Sequence, residues 1–216
     1  MRILDVINKT APFFEKRGIE SPRQNIELLL AHLLKKKRLD LYMEFERELD
    51  EPTLERLREM VKRRTAGEPL QYITGETEFC GLRFMVDKRV LIPRPETELL
   101  VETVLERLTA KESQAGMPVP LPDATERVPS ITNHRSPITI IDVGTGSGCV
   151  AIALAKKLLA PGGEVWAKVY AIDESAEALE VARANAKLHG IEKNVGFFQG
   201  DMLETMSSSL RADAIV

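Results

Sequence analysis

The sequence feature that most constrains the fold is the nonapeptide at residues 140–148, which reads Ile-Ile-Asp-Val-Gly-Thr-Gly-Ser-Gly. A β-branched run ends in an acid, continues into a glycine-rich turn, and is followed by a helix-forming segment from Cys149 to Lys157. Glycines at alternate positions let the backbone approach a ligand closely and present its N–H groups. The helix start adds the positive end of a dipole. The nonapeptide therefore predicts a strand–turn–helix unit that binds a small ligand.

The acid before the glycines, Asp142, narrows the class of ligand. A carboxylate here disfavours a pyrophosphate and favours a cationic ligand such as S-adenosylmethionine, whose own carboxylate can lie at the helix start. A dinucleotide fold is the main alternative. Its G-x-G-x-x-G fingerprint expects glycine or alanine where this chain has Cys149, and an acid about 20 residues further on, closer than Asp173. The residues favour a methyl donor.

The composition limits the partners and the location. The formal net charge of −3 and a sequence pI near 5.8 argue against broad electrostatic capture of nucleic acid or anionic membrane. No apolar run approaches the roughly 18 residues of a membrane span, and the N-terminus lacks a signal-peptide core. Cys80 and Cys149 are interpreted as free thiols, and no Cys/His spacing resembles a metal site. We expect a cytoplasmic monomer that contacts neither membrane nor specific nucleic acid sequences.

Apolar periodicity divides the chain into three parts. Residues 1–67 carry apolar side chains at helical spacing and predict a small helical-bundle domain. Within it, Ser21 followed by proline predicts a helix start with serine as the N-cap. Residues 68–95 contain an alternating stretch that predicts a β-hairpin linker around Gly81. Residues 96–216 form the third part, an α/β domain.

Strands and helices alternate from residue 138 onward, which predicts a parallel sheet with crossover helices. The predicted strands are 138–143, 165–172, 194–199 and 212–216, and the predicted helices are 96–108, 149–160 and 175–189. A segment rich in Pro, Ser and Thr, 111–136, is interpreted as a flexible loop.

Further candidate site residues follow the next two strands, where a doubly wound sheet binds its ligand. Asp173 closes one strand and is placed to accept hydrogen bonds from ribose hydroxyls. Asp201 follows the next strand and could accept from the adenine amino group, with Met202 against the ring. Taken singly, the glycines could be a tight turn and Asp173 a helix N-terminal acid. Their shared position at strand ends favours a ligand site.

These motifs resemble the class I S-adenosylmethionine-dependent methyltransferases, which have a Rossmann-like fold. Two upstream segments are more specific: 67–75, which includes Gln71, and 91–98, which reads Leu-Ile-Pro-Arg-Pro-Glu-Thr-Glu. Both are similar to the HemK/PrmC family, the protein-glutamine N5-methyltransferases that modify peptide chain release factors. The resemblance covers nearly the whole chain apart from 111–136.

The resemblance implies a role for each matching residue. The methionine end of S-adenosylmethionine would be held by Gly144, Thr145, Gly146, Ser147 and Gly148, following Asp142. Asp173 would hold the ribose, and Asp201 and Met202 would lie on the adenine side. Arg94, Pro95 and Glu98 would lie near the cofactor and the substrate mouth. The implied substrate is the glutamine of the Gly-Gly-Gln motif of a release factor, docked by the helical domain.

The sequence departs from the family pattern at its end. The family has Asn-Pro-Pro-Tyr just after the fourth strand, and its groups hold the acceptor amide in line with the methyl. That tetrapeptide does not occur in these 216 residues, so the catalytic residues are unknown. We expect a methyltransferase domain incomplete at its C-terminal side, truncated before the motif, that binds cofactor weakly and is inactive. A nucleic-acid adenine N6-methyltransferase and a non-catalytic cofactor-binding fragment remain as alternatives.

Overall fold

The chain forms two compact units, Met1–Gly75 and Glu76–Val216. The computed structural model describes residues 1–114, 138–159, 167–201 and 211–216. The boundary between the units differs from the predicted one. Residues 68–75, predicted to begin a linker, belong to the first unit, and the hairpin belongs to the second.

The first unit is helical, as the apolar spacing predicted. It contains α1 (Ile3–Lys16), α2 (Pro22–Leu34), a 3₁₀ helix (Arg38–Met43), α3 (Glu51–Thr65) and α4 (Leu70–Thr74). Its core consists of side chains that recur every three or four residues along these helices, including the fully buried Phe14, Ile26 and Leu30. The prediction for Ser21 was wrong in one respect. Helix α2 begins at Pro22, but Ser21 is left-handed (φ 48°) and its side chain makes no capping hydrogen bond.

The second unit opens with a β-hairpin. Strands β1 (Glu76–Phe79) and β2 (Leu82–Met85) pair in antiparallel register, with Phe79 opposite Leu82. The two residues between them, Cys80 and Gly81, both have positive φ, 51° and 73°. Two left-handed residues match the twist that a tight hairpin requires, so the hairpin predicted around Gly81 is confirmed.

A four-stranded parallel sheet forms the rest of this unit. Its elements are α5 (Glu96–Gln114), β3 (Ile138–Val143), α6 (Cys149–Lys157), β4 (Ala167–Asp173), α7 (Ala176–Leu188), β5 (Val195–Gln199) and β6 (Ala214–Ile215). The strand order is β5-β4-β3-β6, and every pairing is parallel. The chain therefore builds outward from β3 and then returns to its other side. Such a reversal of strand order marks the usual ligand position in open α/β sheets.

Several predicted ends shift in the structure. Helix α5 runs on to Gln114, so 111–114 are helical rather than loop, because this stretch contains strong helix formers such as Lys111 and Glu112. The remainder of that predicted loop lies outside the described residues. Helix α6 ends at Lys157 rather than 160, and the described part of β4 is Ala167–Asp173, while the predicted strand residues 165 and 166 lie outside the described residues. Neither α5 nor any other described helix combines the length and apolarity needed to cross a membrane.

Both cysteines are free thiols, Cys80 half-buried and Cys149 buried. Burial raises the pKa of the Cys149 thiol to about 12, even though it lies at the start of α6. The thiol is therefore protonated at neutral pH and packs as a small apolar group.

Candidate functional site

The glycine-rich turn joins β3 to α6 and is fastened to the neighbouring strand. Gly144, Gly146 and Gly148 have φ values of 74°, 53° and 78°, in the left-handed region that favours glycine. The N–H groups of Gly144 and Thr145 both donate to the Ile172 carbonyl, at 2.9 Å. The turn is therefore fixed at its start to the carboxyl end of β4.

The five residues of the turn divide into an outer and an inner set. Gly144 is exposed and Gly146 half-buried, whereas Thr145, Ser147 and Gly148 are buried. A Cβ added at Gly144 would meet no atom within 4 Å, but one at Gly148 would lie 3.0 Å from the Ile152 side chain. The open space lies in front of the outer set, and the inner set packs into the protein.

Asp142 braces the turn from inside. Its side chain is almost fully buried, and Oδ2 accepts hydrogen bonds from the Thr145 hydroxyl at 2.7 Å and the Ala151 N–H at 3.1 Å. Burial raises the pKa of Asp142 to about 6, although those two hydrogen bonds favour the carboxylate. The acid thus ties the end of β3 to both the turn and α6. A direct contact with a cofactor stays a prediction.

Asp173 joins three parts of the site. Its Oδ2 accepts the Gly146 N–H at 2.8 Å, and its Oδ1 accepts the Ser175 N–H at 3.0 Å. Its carbonyl accepts the Gly200 N–H at 3.0 Å. The structure therefore places Asp173, the residue predicted to bind the ribose, in contact with the predicted glycine turn. Each carboxylate oxygen keeps a second lone pair for another donor.

The residues predicted on the adenine side follow β5. Asp201 is exposed and comes directly after Gly200, whose N–H is bonded to the backbone of Asp173. Asp201 thus lies at the same sheet edge as the other two acids. Met202 lies outside the described residues, and its role stays a prediction.

The residues predicted at the substrate mouth surround the start of α5. Arg94 and Pro95 are exposed, and their carbonyls accept the N–H groups that begin the helix. Glu98 has a task that the sequence did not predict, because its Oε1 accepts the Cys80 N–H at 3.0 Å and so fixes the hairpin turn. No described contact joins these three side chains to the glycine turn, and their substrate role stays a prediction.

The sequence interpretation missed Asn185 of α7. Its carboxamide is completely buried and bonds both the backbone of Met85 in β2 and the carbonyl of Ser147 in the turn. The sequence nevertheless contained a signal that could have identified this residue. Asn185 lies three residues after Ala182 on the apolar face of α7, where an amide needs buried partners.

Two family models match this chain, one in each unit. The model of the PrmC N-terminal domain matches residues 5–75, and a methyltransferase domain model matches residues 134–216. With the parallel sheet and the strand-end glycine turn, the second match defines the α/β unit as a class I methyltransferase domain. The sequence prediction of fold class is confirmed.

Curated relatives named release factor glutamine methyltransferase match almost the whole chain. The relative from Chlorobaculum tepidum is 43% identical over 99% of this chain, that from Geobacter sulfurreducens 36% over 99%, and that from Koribacter versatilis 38% over 100%. These similarities extend along nearly the whole chain, and the resemblance to the HemK/PrmC family predicted from the sequence is confirmed. The chain spans 63%, 63% and 66% of the length of these three relatives.

Proposed function

We propose that this protein transfers a methyl group from S-adenosylmethionine to the side-chain amide of the glutamine in the Gly-Gly-Gln motif of a peptide chain release factor. The observation that carries this proposal is the alignment of 99% of the chain, at 43% identity, with a protein named release factor glutamine methyltransferase. The geometry of the turn supports the donor half of the reaction.

The site has the shape and charge that this donor needs. Gly144 and Gly146 have no side chains, and a Cβ added at either would meet no atom closer than 4.0 Å, so the methionine portion can approach the backbone of the turn. The carboxylates of Asp173 and Asp201 at the strand ends favour a cationic ligand and offer acceptors for its hydroxyl and amino groups. When bound, S-adenosylmethionine would supply a methyl group on a positively charged sulfonium.

The acceptor half of the reaction makes a different demand. An amide nitrogen is a weak nucleophile because its lone pair is delocalised, so the enzyme must orient it and accept its hydrogen bonds. We assign binding of the methyl donor to residues in the described part of the chain. We assign orientation of the acceptor amide to none of those residues. We also propose that residues 5–75, which match the PrmC N-terminal domain, help to dock the release factor.

Calorimetry and methyl transfer test the two halves separately. Titration of residues 1–216 with S-adenosylmethionine should give saturable 1:1 binding. The protein, incubated with tritiated donor, should label a purified release factor and not a release-factor variant whose motif glutamine is alanine. Label on DNA alone would instead indicate an adenine N6-methyltransferase. Binding without transfer to either acceptor would indicate a non-catalytic cofactor-binding protein, and absence of binding would overturn the proposal.

A further inference from the structure

We infer that Asn185 is a positioning residue that holds the glycine-rich turn in its ligand-binding shape by tying it to the β-hairpin. Its effect on donor affinity rests on the proposed function, whereas its effect on the turn does not. The residue lies in α7, is completely buried, and its described side-chain hydrogen bonds go to Met85 and Ser147 rather than to the outer glycines.

The carboxamide of Asn185 is satisfied from both sides. Oδ1 accepts the Met85 N–H at 2.7 Å, and Nδ2 donates to the Met85 carbonyl at 2.9 Å and to the Ser147 carbonyl at 2.9 Å. The side chain thus pairs with the outer edge of β2 as a neighbouring strand would. The orientation of the amide follows from these partners, because a flipped amide would place its NH₂ group against the Met85 N–H and its oxygen against the two carbonyls.

Two other residues, one in α7 and one just after it, contact the hairpin or the segment that follows it. His189 Nε2 lies 2.8 Å from the Arg83 carbonyl, and Glu180 forms an ion pair with Arg89 at 3.0 Å. Of these three residues, Asn185 is the one whose side chain also forms a described hydrogen bond with the turn. Attachment of the hairpin therefore does not by itself explain an asparagine at this position.

The contact with Ser147 falls between two other restraints on the turn. Asp173 holds the N–H of Gly146, the residue before Ser147, and Gly148, the residue after it, packs against Ala182 of α7. Removing Asn185 leaves the buried Ser147 carbonyl without this partner, so the turn must shift to recover a hydrogen bond, and it releases the backbone of the exposed Met85 from α7. Donor binding would depend on the backbone of that turn, so a displacement of about 1 Å is enough to weaken it.

Two substitutions and a matched control test the inference. Asn185→Ala removes all three hydrogen bonds. Asn185→Asp keeps an acceptor for the Met85 N–H but loses both donors, and it serves if the alanine variant does not fold. His189→Ala is the control, because it loses a hairpin contact without touching the turn. All are compared at a temperature where circular dichroism shows each of them folded.

The first readout needs no ligand. Hydrogen exchange of the peptide covering 144–151 should be at least about tenfold faster in both Asn185 variants and within twofold of the unchanged protein in His189→Ala. The second is calorimetry with S-adenosylmethionine, where the same variants should bind about tenfold more weakly and the control should not. Unchanged exchange in the Asn185 variants, or equal acceleration in the control, would overturn the inference. If the unchanged protein does not bind the donor, the proposed function fails, but the hydrogen-exchange result still tests whether Asn185 holds the turn.

Discussion

At the scale of single residues, Gly144 and Gly148 share a left-handed backbone but have different surroundings. A Cβ at Gly148 would lie 3.0 Å from Ile152 Cδ1 and 3.1 Å from Ala182 Cβ, whereas one at Gly144 meets open space. Left-handed strain costs about 1–2 kcal/mol, and overpacking adds roughly 1–3 kcal/mol. We expect Gly148→Ala to lower the free energy of unfolding by about 2–5 kcal/mol and Gly144→Ala by about 1–2 kcal/mol in urea titrations.

Gly144→Ala, which should have the smaller effect on stability, should have a clear effect on donor affinity. The methyl in Gly144→Ala projects into the proposed ligand space, so we expect calorimetry to show S-adenosylmethionine affinity reduced by roughly tenfold or more. Equal stability losses in the two variants would contradict the packing described for Gly148. Unchanged affinity in Gly144→Ala would contradict the position of the donor.

The buried acid Asp142 should make stability depend on pH. Burial raises its pKa to about 6 from an ordinary value of 3.8. The folded protein then holds this proton more tightly than the unfolded chain, so the group lowers stability as pH rises from about 4 to 6. A shift of about two units corresponds to about 3 kcal/mol. Relative to the unchanged protein, Asp142→Asn should gain about that much unfolding free energy between pH 4 and pH 7 in urea titrations.

A control for this experiment is Ser175→Ala, because it removes a hydrogen bond but no group that titrates in this range. Its stability difference from the unchanged protein should stay nearly constant over the same pH range. A constant difference for Asp142→Asn as well would show that the buried carboxyl titrates normally.

Asp173 should matter for donor affinity. Asp173→Ala removes the acceptor for the Gly146 N–H and the proposed ribose partner. We expect calorimetry to show binding of S-adenosylmethionine weakened by about 1–3 kcal/mol, the cost of groups left without partners. Glu180→Gln, on the exposed side of α7, is the control and should bind as before. Equal affinities for the two variants would reject the ribose role.

The sequence predicted those site residues whose position follows from chain order. Asp173 and the glycine turn lie at the ends of adjacent parallel strands, and the structure brings them within 2.8 Å of each other. Asn185 was not predicted because its partners are 100 and 38 residues away in sequence. Local patterns report which side chains are buried, but they do not report which distant backbone groups a buried amide will meet.

At the scale of elements, the sequence predicted which segments form helices and strands, but it did not predict their first and last residues. Alternation and helical spacing gave the hairpin, the parallel strands and their crossover helices, because burial imposes those periods. The ends depend on tertiary contacts. Strand β6 is limited to Ala214–Ile215, where it pairs with β3, although 212–216 was predicted. The left-handed Ser21 likewise reflects its surroundings, since its carbonyl accepts hydrogen bonds from Asn25.

Helix α7 depends on its first residues. Ser175 is its N-cap, and Oγ accepts the Ala178 N–H at 3.1 Å. Removing a serine cap costs about 1 kcal/mol, so Ser175→Ala should lower unfolding free energy by that amount in urea titrations. Ser175→Thr keeps the hydroxyl and should retain most of the stability. Equal losses in both variants would show that the cap hydrogen bond is not the cause.

At the scale of the whole molecule, each unit has its own core. Phe14 is fully buried in the first unit and Phe84 in the second. Truncating a buried phenylalanine to alanine costs about 3–5 kcal/mol. We expect differential scanning calorimetry to resolve two transitions, with Phe14→Ala lowering one and Phe84→Ala the other. A single transition that both variants lower equally would show that the units unfold as one.

The bond between Met85 and Asn185 also has a consequence for biosynthesis. The two residues are 100 positions apart, and a ribosome adds about 5–20 residues per second. The outer edge of β2 must therefore wait about 5–20 seconds after its own synthesis before its partner amide exists. During that interval the edge is open to pairing with other nascent chains. The hydrogen bond from Asn185 to the glycine-rich turn can form only after α7 has left the ribosome. The proposed donor site is therefore completed late in synthesis of the chain.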